Sequence, residues 1–328
     1  MALFAGIWHR GGGRLRAGAE TDLLAALHAP FHSVLSAYDD DAFAVVARSV
    51  TEPTIVSRGG IVAAFGGRLD GHLTAADVLD AYLDPAGRFR SISGDYAIAV
   101  FDPMRHTLLL MRDAVGTQPM YYCASDDGSF VFGSQAKAVM AGAAMRPEIN
   151  RGALAQLLVG NDGLPRGQTC FSGVYSLPPG QVLFVTPDTI SSTTHVDLRP
   201  IVPTPLKTFE QSCAAFKRAL CTSVDRRISP EKPTAILVSG GLDSAAILAA
   251  ARNATNADRL VAISYGLQDG SGADESRYVD VVTQATGVRS VRVDFEPLGF
   301  LEHVQRDAWA TETPSVDDVP ATLSRAAT

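Results

Sequence analysis

The stretch "ILVSGGLDSAAI" (residues 236–247) decides how this chain folds. An apolar run stops at Ser239, Gly240 and Gly241, and a helix-like apolar pattern resumes after Leu242 and Asp243. A buried strand that feeds a glycine turn and then a helix opens a parallel strand–helix unit. Ligands of such sheets sit at the carboxyl ends of the strands. The two glycines let backbone N–H groups approach a polyanion, and the helix amino terminus favours negative charge. Ser239 and Ser244 add hydroxyl donors, and Asp243 can hold a magnesium ion bound to the same phosphates. The stretch therefore reads as a phosphate-binding loop. It is not a Walker A loop, since no Gly-Lys-Ser/Thr follows, and it is not a GxGxxG turn.

Working outward, "TAILVS", "LVAISY" and "SVRVDF" read as buried strands, with "LDSAAILAAARN" and "DESRYVDVVTQAT" as the helices between them. This alternation predicts a parallel, doubly wound sheet. "FEQSCAAFKRALCTSVDRRI" precedes it as a long helix with Phe216, Leu220 and Val224 on an apolar line. Further upstream, "RPIVPTPLKT" (199–208) carries three prolines and reads as a linker. Before it the pattern is different. "DYAIAVFD" (95–102) and "HTLLLMRD" (106–113) read as a hairpin, and so do "MYYCAS" and "SFVFGS" around "DDG". Helices are expected at 74–84, with Thr74 as cap, and at 150–159, with Asn150 as cap. The expectation is an α+β domain of antiparallel sheets over 1–203 and an α/β domain over 204–328.

At 328 residues the chain is long enough for two cores, and 46% hydrophobic with 19% charged residues describes a globular protein. A net charge of -7 argues against general nucleic-acid binding, and no apolar run approaches the ~20 residues of a membrane span. "MALFAGIWHRGGG" has no basic region before its apolar run and no cleavage site, so a buried first strand is expected there rather than a signal peptide. Cys123, Cys170, Cys213 and Cys221 form no CxxC pair, which points to reduced thiols and a cytoplasmic location. His28 and His32 are four apart, but Pro30 between them excludes a helical metal pair.

The loop resembles the SGGxDS pyrophosphate loop of the ATP-pyrophosphatases, which adenylate a carboxylate or amide oxygen and release pyrophosphate. That resemblance implies ATP and Mg2+ as cofactors, with Ser239, Gly240, Gly241, Asp243 and Ser244 on the pyrophosphate and Asp243 on the metal. It also implies Leu237, Ile263 and Ser264 beside the adenosine, and "DES" (274–276) resembles the family's acidic pair at the next helix. The amino-terminal half is similar to the class II glutamine amidotransferase domain of asparagine synthetases. This similarity rests on "FGGRLDG" (65–71), "SGDYAIAVFD" (93–102), "LLLMRDAVGTQPMYY" (108–122), "FVFGSQAKAVM" (130–140) and "YSLPPGQVLFV" (175–185). The implied folds are an Ntn-hydrolase-like αββα sandwich and a partial domain of the adenine nucleotide α-hydrolase type.

Two departures qualify the implied activity. The family's amino-terminal nucleophilic cysteine aligns with Ala2, and its oxyanion-holding Asn-Gly pair aligns with Gly66-Gly67. A methyl group cannot attack an amide, and the lost Asn donor is worth ~3 kcal/mol of transition-state stabilisation. No catalytic residue for glutamine hydrolysis is identified. An inactive glutaminase joined to a synthetase resembles β-lactam synthetase and the lasso-peptide cyclases, which adenylate a carboxylate for attack by an amine of the same molecule. An asparagine synthase fed by free ammonia and a non-catalytic scaffold are the alternatives. In addition, "DAWATETPSVDDVPATLSRAAT" (307–328) resembles the segment just before the family's Ser/Thr-Gly-x-Gly-x-Asp-Glu loop. A truncated gene, a split enzyme completed by a second chain and a vestigial protein all fit that ending. The expected partners are a small-molecule or peptide carboxylate, a precursor peptide among them, or that second chain; no nucleic acid and no membrane are expected.

Overall fold

The computed structural model describes residues 2–28, 33–50, 53–159, 164–196, 198, 208–267, 276–295 and 304–313. The chain divides into two compact units, Met1–Ile201 with Arg306–Val316, and Val202–Gln305 with Asp317–Thr328. The 203/204 division expected from the prolines falls among residues outside the described set. The return of Arg306–Val316 to the first unit was not expected from the sequence.

The first unit runs β1 (Ala2–His9), α1 (Ala19–Ala26), β2 (Val34–Asp39), β3 (Phe43–Ser49), β4 (Ile55–Arg58), β5 (Ile61–Leu69), α2 (Ala75–Leu83), β6 (Gly94–Asp102) and β7 (Thr107–Arg112). It continues with β8 (Tyr121–Ala124), β9 (Ser129–Gly133), α3 (Ala136–Gly142), α4 (Arg151–Val159), β10 (Tyr175–Ser176), β11 (Gln181–Val185) and β12 (Ile190–Thr194). These strands form two six-stranded sheets, ordered β10-β8-β9-β1-β3-β2 and β12-β11-β7-β6-β5-β4. Every pairing in them is antiparallel.

The alternation of side chains along β1 builds the layers. Phe4 and Trp8 enter the core between the sheets with Phe43, Phe101, Leu108 and Phe132. Leu3, Ala5 and Ile7 point the other way, against Leu23 of α1 and Val139 of α3. On the second sheet, Ile98 and Val100 of β6 pack outward on Val78 and Leu79 of α2. The result is the expected helix–sheet–sheet–helix sandwich. It also explains why the start of the chain is continuously apolar: both faces of β1 are buried. Phe43 and Phe101 stack with ring centroids 4.1 Å apart, joining the two sheets. Each such buried aromatic contributes roughly 1.5–3 kcal/mol.

Both expected hairpins form, with Ala97 opposite Arg112 and Tyr121 opposite Gly133. The Asp102 carboxylate accepts the N–H groups of Met104 and Arg105 in the first turn. Thr74 and Asp77 make a capping box at the start of α2, and the Asn150 side chain accepts the Ala153 N–H at 3.1 Å at the start of α4.

The second unit comprises α5 (Phe209–Asp225), β13 (Thr234–Leu237), α6 (Leu242–Ala254), β14 (Leu260–Leu267), α7 (Ser276–Thr286) and β15 (Arg289–Phe295). α8 (Val304–Thr311) follows. The strands form the expected parallel sheet in the order β13-β14-β15. Its core gathers Ile236, Val238, Leu248, Ala251, Ala262 and Val279. The expected long helix forms as α5, with its apolar line largely exposed. α5 buries no residue, Phe216 is 71% exposed, and of the apolar line only Val224 packs against this core. A three-stranded sheet is narrow, and α5 reaches its core only through the helix's carboxyl end.

Candidate functional site

At the carboxyl end of β13 the backbone turns sharply. Gly240 has φ +87°, a left-handed conformation that only glycine adopts without strain, and Gly241 is extended as the residue before α6. The Ala245 N–H donates to the Gly241 carbonyl as a bond of the first helical turn. N–H groups ahead of it lie at the helix mouth, outside the intrahelical ladder. Two hydroxyls brace the turn. Ser239 Oγ and Ser244 Oγ are 3.1 Å apart, Ser244 Oγ accepts the Ser239 N–H at 3.1 Å, and Ser244 Oγ donates to the Gly241 carbonyl at 3.2 Å. The two serines therefore hold the turn as well as facing its mouth. A rigid, solvent-accessible ring of small groups beside a helix amino terminus suits a polyphosphate.

Other residues expected around the nucleotide take different positions. Leu237 pairs with Ile263 across β13 and β14, and the Val238 N–H donates to the Ile263 carbonyl at 2.8 Å, which ties the loop's base to β14. Ile263 and Ser264 are consecutive in a strand, so they face opposite sides of the sheet, and Ser264 is buried. Asp243 is exposed in the first turn of α6. Among the described residues no cluster of three His, Cys, Asp or Glu side chains surrounds it or occurs elsewhere. A hard cation there would share its oxygens with phosphates and water, as magnesium does. Asp274 and Glu275 lie outside the described residues.

The position expected from the resemblance to serve amide hydrolysis falls at Ala2, in the first unit. Ala2 starts β1, buried, and offers only a methyl group. Gly66 lies so near it that a Cβ would stand 2.7 Å from the Ala2 carbonyl oxygen and 3.3 Å from the Phe4 ring. Gly67 has φ +99°, and a Cβ there would lie 2.0 Å from the Asp95 carbonyl oxygen. Beyond it, Arg68 bridges the carboxylates of Asp70 and Asp95 at 2.9 and 3.1 Å, an ion cluster that the sequence reading did not anticipate. Burial pushes the Cys123 thiol up to about 11 and raises Cys170 as well, away from the thiolate that attack requires.

The Arg112–Asp113 pair, the most distinctive stretch of the first half, has an architectural role. The Arg112 guanidinium donates to the carbonyls of Gly116, Gln118 and Leu177, each at 2.7 Å. The buried Asp113 carboxylate accepts N–H groups from Val115, Gly116, Thr117 and Gln118. A charged pair spent on backbone groups fixes the 113–120 loop.

Among the described residues no helix is long and apolar enough to cross a membrane. Residues 78–196 match the model of a glutamine amidotransferase domain, and residues 215–327 match that of asparagine synthase. An asparagine synthetase (glutamine-hydrolysing) of Bacillus subtilis is 23% identical over 252 residues, 71% of this chain and 39% of that protein. The carboxyethyl-arginine beta-lactam synthase of Streptomyces clavuligerus is 26% identical over 230 residues, 70% of this chain and 41% of that one. The chain thus spans about two fifths of the length of these relatives. The solved structure of the allosteric regulatory enzyme of purine biosynthesis aligns at a TM-score of 0.40 and 11% identity, over 89% of this chain and 80% of that one, too distant to add to the fold described above.

Proposed function

Because the chain belongs to the asparagine synthetase family, we propose that its second unit binds the phosphates of ATP in the service of carboxylate adenylation and amide formation. Its first unit, on this reading, does not hydrolyse glutamine. The observation that carries the proposal is the braced turn at Gly240 and Gly241 between β13 and α6. Ser239, Gly240, Gly241 and Ser244 hold the pyrophosphate, and Asp243 meets the magnesium ion that accompanies it. Leu237 and Ile263, at the adjoining strand ends, border the nucleoside. Ser264 faces the other side of the sheet and supports the strand instead. ATP supplies the activating adenylyl group; the chain's own residues orient the phosphates and exclude none of them from water until a substrate covers the loop.

With Ala2 and Gly66 at the hydrolytic position, the attacking nitrogen comes from an amine of the substrate rather than from glutamine. This is the reading in which the chain acts as a lasso-peptide-cyclase-like or β-lactam-synthetase-like ligase, and the relative named a carboxyethyl-arginine beta-lactam synthase supports it. Free ammonia as the nitrogen source, with asparagine as product, is the competing version. The carboxylate belongs to a small molecule or a precursor peptide, in the cytoplasm, and a second chain carrying further family residues fits the same scheme. Calorimetry of ATP with magnesium against the full chain, beside Asp243→Ala, tests the proposal. We expect binding that Asp243→Ala weakens about tenfold, the ~1.4 kcal/mol of one charge-assisted contact. If neither protein binds ATP, the first unit is the functional part and the chain is a non-catalytic scaffold.

A further inference from the structure

Arg306–Val316 belongs to the first unit although the whole parallel sheet precedes it in the chain. Among the described residues, its hold there centres on Glu312 and on Trp309, both of which meet Lys137. The Glu312 carboxylate accepts the backbone N–H groups of Ala136 and Lys137, each at 2.7 Å, where α3 begins. It also pairs with Lys137 Nζ at 3.6 Å, and both side chains are nearly covered, at 8% and 5% exposure. Lys137 Nζ donates to the Trp309 carbonyl at 2.8 Å and lies 5.1 Å from the centre of the Trp309 ring. Glu312 itself has φ +59°, a conformation that costs a non-glycine residue free energy and persists only where surrounding contacts enforce it. Glu312 and Thr313 form part of the wall of a cavity of about 240 Å³ whose other walls include Arg112, Tyr121, Ala136 and Cys170.

We propose that Arg306–Thr313 is a releasable strap on the first unit, held in place by the Glu312 carboxylate, and that its release opens the cavity in front of Cys170. The physical basis is asymmetry. With Glu312 seated, a buried lysine has its counter-charge and two helix-start N–H groups have their acceptor. With it gone, a buried ammonium stands unpaired, which is strongly unfavourable. Burial already pushes the Lys137 pKa down, and the Glu312 charge works against that shift. Among the described side chains of the strap, those at 308, 309, 310, 311 and 313 are Ala, Trp, Ala, Thr and Thr, so Glu312 supplies the carboxylate there.

The full chain carries its own reporters. Cys170 is 7% exposed in the cavity wall, Cys123 is fully buried in the core, and the two tryptophans are Trp309 on the strap and the buried Trp8. In Glu312→Gln, peptide-resolved alkylation of Cys170 by iodoacetamide should accelerate about tenfold, as expected when a local opening replaces a closed state. Acrylamide quenching of Trp309 should rise with it, while Cys123 stays protected. Lys137→Met should move both readouts in the same direction. Unchanged Cys170 and Trp309 in Glu312→Gln would overturn the proposal. So would Cys123 labelling that rises in step with Cys170, because the unit would then be unfolding rather than releasing a strap. Neither readout involves ATP, so the outcome is independent of the phosphate-loop reading.

Discussion

Two Gly-Gly pairs sit at the two candidate sites, and they do opposite work. Gly240-Gly241 opens a turn: φ +87° followed by an extended residue leaves a helix mouth free of side chains. Gly66-Gly67 closes a gap: a Cβ at either position would run into backbone, the Ala2 carbonyl in one case and the Asp95 carbonyl in the other. The same residue type thus forms an open turn in one unit and lets strands pack without room in the other. What matters is what stands opposite each glycine, and this follows from strand pairing rather than from the dipeptide.

That contrast can be attacked directly. The largest effect should come from Gly67→Ala, where a Cβ 2.0 Å from the Asp95 oxygen and a left-handed φ act together. We expect a loss of about 3 kcal/mol in the stability of the first unit, read by Trp8 fluorescence in urea. A variant as stable as the parent would mean that the β5–β6 pairing is not as tight as drawn. Gly240→Ala should cost the fold only about 1 kcal/mol, since the turn is solvent-facing, yet it should reduce ATP binding in calorimetry. Equal ATP affinity in that variant would remove the left-handed turn from the phosphate site. The smallest effect belongs to Ala2→Cys. Restoring a thiol at position 2 should produce no ammonia from glutamine above the parent's background, because Gly66 supplies no side-chain donor and its surroundings accept none. Measurable glutaminase activity there would show the first unit to be one substitution from function.

Much of this architecture was legible because periodicity survives in the sequence. The hairpins at 95–113 and 121–133 announced themselves by strand-length apolar runs around short turns, and the caps at Thr74 and Asn150 are local interactions three residues long. The strand–glycine–helix turn at 236–247 was equally readable, since strand, glycines and helix are contiguous. The apolar line on α5 foretold the helix but not how much of it is covered. Helical spacing reports that a face can be buried, not that a partner of sufficient width exists, and Phe216 stays exposed beside a three-stranded sheet. Ile263 and Ser264, both expected beside the adenosine, are consecutive in β14, and their side chains alternate across the sheet.

The two-part organisation, the antiparallel and parallel characters of the halves, the strand–glycine–helix turn at 236–247 and the alanine at position 2 were legible from the residues alone. All of these are written in contiguous residues, where spacing of a few positions sets local geometry. Only the tertiary structure decided that Gly66 is walled in by Ala2 and Phe4, that Arg68 bridges Asp70 and Asp95, and that Glu312 reaches back across more than a hundred and seventy residues to Lys137. Apart from Arg68–Asp70, those contacts join positions far apart in the chain, and their energies depend on burial and distance, which no local pattern of residues encodes.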